Sequence, residues 1–341
     1  MRGLVVKEKG KVELVNDIPE PEIGPYDALV EVIACGICNG TDLKLIDGHF
    51  KGYGAYPCVL GHEPLGRVIK LGEKVTTYKL GDHVLRAMLN DTPKYYSGWG
   101  SFAERAFVSD YAAMERDGIA NIFEGHKAQQ IVPKDIDPNK ALMLITLKEV
   151  FSGLKRFGVG EGLSVMINGC GPVGLSMIRF CKILGVNNLI VSDIHDARLE
   201  KARKLGADIT VNPSREDVAS AVKDIYKDGL DIFIDAVGRN ELINLGLKLI
   251  NFNGKVAVYG ISPQCHADIV WENAPYNWNV HFVQWPTFSD EASVHNQVVE
   301  LVRSGAIDLD DFVTHILPVE EFEKGFELVK SKQGMKVSLT F

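Results

Sequence analysis

Two short segments carry the residue types that metal ions and protons need. Gly36-Ile37-Cys38-Asn39-Gly40-Thr41-Asp42 offers a thiol followed by a hydroxyl, and Gly61-His62-Glu63 offers an imidazole beside a carboxylate. Thiolate and neutral imidazole are good zinc ligands, and an adjacent carboxylate can join or adjust the shell. Each fragment is weak evidence by itself. A lone buried cysteine is usually an inert small hydrophobe, and a His-Glu pair is usually structural or solvated.

A second chemistry is written in Gly169-Cys170-Gly171-Pro172-Val173-Gly174, a G-x-G-x-x-G turn between a strand-like and a helix-like run. Gly169 permits the tight turn, Gly171 lets backbone approach a pyrophosphate, and Gly174 lets helix and strand pack closely. The helix that follows presents free N–H groups to the phosphates. Asp193 ends the next strand-like run, 22 residues after Gly171, where a carboxylate accepts from the ribose hydroxyls. That carboxylate would repel a 2′-phosphate, so NAD is expected over NADP, with Arg198 as a partial local offset. Val237 and Gly260, at the ends of two later strand-like runs, complete the expected cofactor contacts.

The elements that must position these groups fall into three stretches. Residues 1 to about 140 read as irregular β structure, with short runs such as ALVEVIACGI (28–37), GRVIKLG (66–72) and SFAERAFVS (101–109) between turn signals. From 141 a helical run (141–157) leads into alternation. The strands are 163–168, 188–193, 208–211, 231–237, 255–261 and 279–285; the helices are 172–185, 196–205, 214–227 and 240–251. Nearly continuous apolar strands alternating with helices predict a parallel, doubly wound sheet covered on both faces. The remainder predicts helices over 293–305 and 319–332 and a terminal strand, 336–341, that the β region could accept. The segment 117–131 is a local elaboration without an assigned role.

Composition narrows the function classes. The chain has 341 residues, 46% hydrophobic and 24% charged, which is ordinary for a globular protein of two domains. Its 37 basic and 45 acidic residues give a net charge of −8, against the basic footprint of a nucleic-acid binder. The opening residues do not form a signal peptide, and no apolar run is long enough to span a membrane. Six scattered cysteines do not make a disulfide framework. The expectation is a cytoplasmic protein with no nucleic-acid or membrane partner and with thiols available to metal.

Taken together and in this order, these motifs resemble one family. The chain is similar to zinc-type members of the medium-chain dehydrogenase/reductase superfamily, near the alcohol, polyol and threonine dehydrogenases. The resemblance runs through VEVIACGIC, GHEPLGRV, GDHV, GSFAE, GCGPVG and the tail before the final strand. It implies a GroES-like β domain, 1–142 with 286–341, and an inserted Rossmann NAD-binding domain, 143–285. It further implies Cys38 and His62 as catalytic zinc ligands and Glu63 as the neighbouring carboxylate, bound or one step away. Thr41 becomes the hydroxyl that passes the substrate proton outward. A small-molecule alcohol or ketone substrate and a homo-oligomer, dimer or tetramer, follow from the same resemblance.

The sequence departs from the family pattern in four places. Two residues, Asn39 and Gly40, separate Cys38 from Thr41 where one is common. The proton-relaying histidine downstream is matched by Leu43 or Lys44. A third ligand normally opens the helix before the Rossmann strand; counted back from Gly169 it falls at Leu144 or Ile145, neither of which binds zinc, and Glu149 lies a turn later. Finally, residues 88–100 contain no cysteine, so one catalytic zinc and no structural zinc is expected. The leading expectation is hydride transfer between NAD(H) and a small secondary alcohol or polyol or its ketone. A zinc-free quinone or enoyl reductase of the same superfamily and a non-catalytic dinucleotide-binding protein stay open as alternatives.

Overall fold

The strand Val165–Asn168 is buried along its whole length, and so are Ile190–Ser192 and most of Leu230–Asp235. Residues buried on both sides need cover from both faces, and crossover helices packed on the sheet supply it. In the computed structural model, which describes residues 1–341, six parallel strands run in the order Ile209–Val211, Ile190–Ser192, Val165–Asn168, Leu230–Asp235, Ile250–Val258, Asn279–Phe282. In chain order that is 3-2-1-4-5-6, the doubly wound arrangement whose strand order reverses beside the first strand. The crossover helices are Pro172–Ile183, Asp196–Leu205, Val218–Ile225 and Glu241–Leu249.

Two compact units divide the chain, one of Met1–Lys148 with Thr287–Phe341 and one of Glu149–Pro286. The division falls inside the helix Met143–Phe157. The first unit is built on two sheets. In the larger one, Asp27–Ile37 is the central strand, pairing with Pro64–Leu71, Arg105–Ser109 and the terminal strand Lys336–Thr340. The terminal strand is antiparallel to it, with Val337 opposite Ile37 and Leu339 opposite Cys35. The chain end thus completes the sheet that carries the first cysteine segment. The smaller sheet orders Lys11–Val15, Gly3–Glu8, Cys58–Val59 and Tyr96–Ser97, and the cysteine-free stretch 88–100 supplies its last strand. The architecture is the one expected from the sequence, an irregular β domain closed by the terminal strand and a parallel, doubly wound sheet.

The tail differs in detail from the sequence expectation. One helix was expected over 293–305, but there are two, Phe288–Ser293 and His295–Arg303. The first begins at Thr287, whose hydroxyl accepts from Asp290 N at 3.1 Å, a capping bond that starts a helix in a polar run with no apolar periodicity. The elaboration at 117–131 carries a 3-10 turn, Glu124–Ala128, and sets Phe123 against Phe288, ring centroids 5.6 Å apart. The strand expected over 255–261 begins at Ile250, directly after the preceding helix. No helix is long and apolar enough to cross a membrane.

Candidate active site

The central strand ends at Ile37, and the chain turns through Cys38 into the short helix Asp42–Ile46. Asp42 is fully buried and accepts from the Cys38 N–H through Oδ2 at 2.8 Å. Its other oxygen, Oδ1, lies 3.3 Å from His62 Nδ1. A carboxylate on Nδ1 fixes the ring and leaves Nε2 as the nitrogen available to a ligand. The Cys38 thiol, the His62 imidazole and the Glu63 carboxylate offer donor atoms all within 4.8 Å of one another. Cys38 is half-buried, whereas His62 and Glu63 are buried.

Each member of the cluster is held from outside. Glu63 Oε2 pairs with the buried ammonium of Lys336, at the head of the terminal strand. Glu63 Oε1 accepts from the Thr146 hydroxyl at 3.2 Å and lies 4.0 Å from His62 Nε2. Gly36 makes room for this carboxylate: a Cβ there would stand 2.5 Å from Oε2. Burial by itself would raise the Glu63 pKa, but Lys336, His62 and Arg86 hold it below the ordinary carboxylate range. Burial would likewise lower His62, but the Asp42 carboxylate 3.3 Å from Nδ1, together with Cys38, raises it well above the ordinary imidazole value. The Trp99 ring lies against His62, centroids 5.4 Å apart.

Thr41 is buried at the start of the short helix and makes no side-chain capping bond. Lys44, at the position expected for a relay, has its pKa lowered by burial, partly offset by Cys38. The residue brought to Glu63 from the helix Met143–Phe157 is Thr146; Leu144 and Ile145, where counting placed a third ligand, are fully buried apolar residues. Successive helical residues point about 100° apart, so counting along the chain cannot fix which one faces the cluster. Glu149 is half-buried and opens the other unit.

In that other unit the glycine-rich turn closes as the spacing requires. Gly169 takes a left-handed φ of 99°, Gly171 precedes the helix at its N-cap, and Pro172 occupies the first turn. A Cβ on Gly174 would collide with the Gly169 carbonyl. Asp193 is 9% exposed, with Oδ2 accepting from Cys170 N and Oδ1 from His195 N, both at 2.8 Å. Its carboxylate is therefore bonded to the turn it follows by 23 residues. Val173 lies on the same helix, and Arg198 is half-buried in the first turn of the next one. Val237, 47% exposed, sits against Gly169, and Gly260 N bonds the Asp235 carbonyl at 2.9 Å. These groups lie at the carboxyl ends of strands flanking the order reversal, where open α/β sheets bind ligands.

Residues 24–119 match the alcohol dehydrogenase GroES-like domain, and residues 172–289 match the zinc-binding dehydrogenase family. The chain belongs to the zinc-type medium-chain dehydrogenase/reductase superfamily. It is 28% identical to an L-threonine 3-dehydrogenase of Symbiobacterium thermophilum, with 99% of this chain and 97% of the relative covered. It is also 28% identical to one of Shewanella putrefaciens, with 95% of each covered. Alcohol dehydrogenase TADH from Thermus sp. ATN1 is 26% identical, covers 100% of this chain and 99% of its own, and superposes with a TM-score of 0.80. A 2R,3R-butanediol dehydrogenase from Bacillus subtilis superposes at 0.82 with 20% identity, a likeness of fold.

Sequence reasoning missed six residues in and around this candidate site: Asp42, Arg86, Thr146, Lys148, Glu291 and Lys336. Asp42 had a signal, since it lies in the quoted cysteine segment and is four residues from Cys38. The others are brought in by long-range pairing that no local pattern marks. Arg86, with a left-handed φ of 61°, donates to the His62 carbonyl at 3.1 Å and grips Glu291 with two bonds of 3.1 and 2.7 Å. Lys148, fully buried, lies 3.3 Å from the same Glu291. Burial would raise the Glu291 carboxyl, but the two cations hold it low. Glu291→Ala would leave two buried cations without that counter-charge, and should cost about 3–5 kcal/mol of stability. Urea unfolding measures it; a loss under about 1 kcal/mol would mean the network is solvated in solution.

Proposed function

We propose that this chain is a zinc- and NAD-dependent dehydrogenase that interconverts a small secondary alcohol, such as a polyol, sugar or hydroxy amino acid, and its ketone. The observation that carries this reading is the cluster of Cys38, His62 and Glu63, with Asp42 fixing His62 so that Nε2 faces the other donors. Sulfur, nitrogen and carboxylate oxygen at this spacing suit zinc, with a position left for substrate. The relatives named for L-threonine act on a secondary alcohol, which supports the substrate class.

When bound, zinc supplies a Lewis acid that polarises the alcohol oxygen, and NAD supplies the hydride acceptor. The chain's own part is to place and bias these groups. Cys38, His62 and Glu63 would hold the metal, and Asp42 keeps the His62 ring in one orientation. Thr41, buried and three residues after Cys38, is the hydroxyl proposed to accept the substrate proton and hand it on. Gly169, Gly171 and the helix beginning at Pro172 would receive the pyrophosphate, and Asp193 the adenosine ribose. The exposed Val237 side chain would offer an apolar wall to the cofactor. Homo-oligomerisation belongs to the same proposal: Asn279–Phe282 is an edge strand of its sheet, with Phe282 58% exposed. A zinc-free reductase remains the second reading, favoured by one observation: Thr146 stands against Glu63, and no charged side chain of that helix takes its place.

Cys38→Ala and His62→Ala should each remove most bound zinc and most turnover while leaving NAD affinity within about twofold. Elemental analysis, alcohol oxidation over a polyol, sugar and amino-alcohol panel, and NAD titration read the three quantities. Wild-type activity in either variant would sink the zinc reading in favour of the zinc-free one.

The raised His62 pKa sets a pH dependence. The proton on the metal-free imidazole must leave before Nε2 can bind, so acid competes with zinc. Below that raised pKa, apparent zinc affinity should fall about tenfold per pH unit for this proton. Competition with a chelator of known affinity between about pH 6 and 8 checks it; a flat profile would show that His62 binds no proton in this range.

Asp193 should give a preference for NAD over NADP of roughly tenfold to a hundredfold, since an unpaired buried acceptor or a like charge costs about 1–3 kcal/mol. Asp193→Ala should narrow the gap, mainly by weakening NAD. Steady-state kinetics with both cofactors decides, and equal efficiency with NADP would remove Asp193 from its proposed place at the ribose.

A further inference from the structure

The two oxygens of Glu63 have different partners. Oε2 belongs to the Lys336 ammonium, and Oε1 takes the Thr146 hydroxyl at 3.2 Å while lying 4.0 Å from His62 Nε2. Glu63 and Thr146 are 2% and 4% exposed, so water does not compete freely for either group. Lys336 pairs with Oε2, but an ammonium is a point charge that does not fix the carboxylate plane as a guanidinium fork does, so this pair by itself leaves the carboxylate free to rotate. The hydroxyl works against that rotation. It holds one oxygen on the side of the carboxylate that faces His62, and Gly36, where a Cβ would stand 2.5 Å from Oε2, leaves the opposite oxygen in place. A carboxylate oxygen has two lone-pair directions, so bonding Thr146 leaves one for a metal.

We propose that Thr146 is a positioning residue: its hydroxyl turns Glu63 Oε1 toward Cys38 and His62 so that Glu63 serves as the third zinc ligand. This rests on the zinc reading above. The charge balance supports the assignment. The buried Asp42 carboxylate offsets the Lys336 ammonium, so one thiolate and one carboxylate neutralise a divalent ion, and a neutral hydroxyl on the neighbouring helix suffices where it only orients. Like other groups that orient ligands without touching the metal, Thr146 should matter to affinity by about ten- to a hundredfold.

The test compares wild type, Thr146→Val, which keeps the shape and removes the hydroxyl, and Thr146→Ser, which keeps the hydroxyl. Zinc affinity is read by competition with a chromophoric chelator, and ligand geometry by the visible spectrum of the cobalt(II)-substituted protein. NAD affinity and the urea midpoint serve as controls. The Val variant is expected to bind zinc about ten- to a hundredfold more weakly and to shift the cobalt bands, with Ser restoring both and NAD affinity unchanged throughout. If the Val variant is insoluble, Thr146→Ala is read in its place. Wild-type affinity and an unchanged cobalt spectrum without the hydroxyl would overturn the positioning role alone. A wild-type protein that holds no zinc would overturn the zinc reading and this role together.

Discussion

A carboxylate buried as deeply as Glu63 must be paired, and its pairing with Lys336 is the constraint around which the first unit is arranged. The two residues are 273 positions apart. They meet only because the terminal strand lies antiparallel to the strand Asp27–Ile37 and delivers Lys336 beside the segment that leads to Cys38. Removing either charge would leave the other in a medium that solvates it poorly. The end of the chain is therefore tied to the cluster by electrostatics as well as by the sheet ladder. The same ammonium keeps Glu63 ionised, which is the form a metal ligand needs.

A second buried network repeats this logic one layer out. Arg86 bridges the His62 carbonyl and Glu291, and Lys148 shares that carboxylate. The partners come from a strand end, the helix Phe288–Ser293 and the helix Met143–Phe157. The elaboration at 117–131 packs its Phe123 on the same short helix, and Gln129 donates to the Arg86 carbonyl at 3.0 Å. The segment 117–131 thus supports, through Gln129, the backbone of a residue that holds the His62 carbonyl. Such ion networks are costly to bury and costlier to break, and what they provide is a fixed geometry.

The dinucleotide site is organised differently. Its turn, helix start and acidic partner all fall within about 25 residues, and the bonds from Cys170 N and His195 N to Asp193 close it locally. No buried charge pair from a distant segment is needed to shape it. Gly174 and Gly169 fit because backbone passes backbone, a requirement that a side chain would violate wherever the rest of the chain went.

This difference explains what could be read from the chain alone. Local requirements leave local marks. The G-x-G-x-x-G turn, the acid at the end of the next strand and the six apolar runs of the parallel sheet were legible, because each depends on neighbours within a strand, a turn or one crossover; Cys38 and His62-Glu63 stood out only through their order in a family resemblance. The cap-initiated helix at Phe288 was not legible, since a polar run held by one side-chain bond has no periodicity to detect. Nor was the surrounding of the cluster. Whether Leu144, Ile145 or Thr146 faces Glu63 depends on the rotation of a helix about its axis, and tertiary packing sets that rotation. No local pattern in the sequence sets Lys336, Arg86, Lys148 or Glu291 apart from the other charged residues. They become buried partners only after segments up to 273 residues apart are brought together, and a charge's environment exists only in the folded chain.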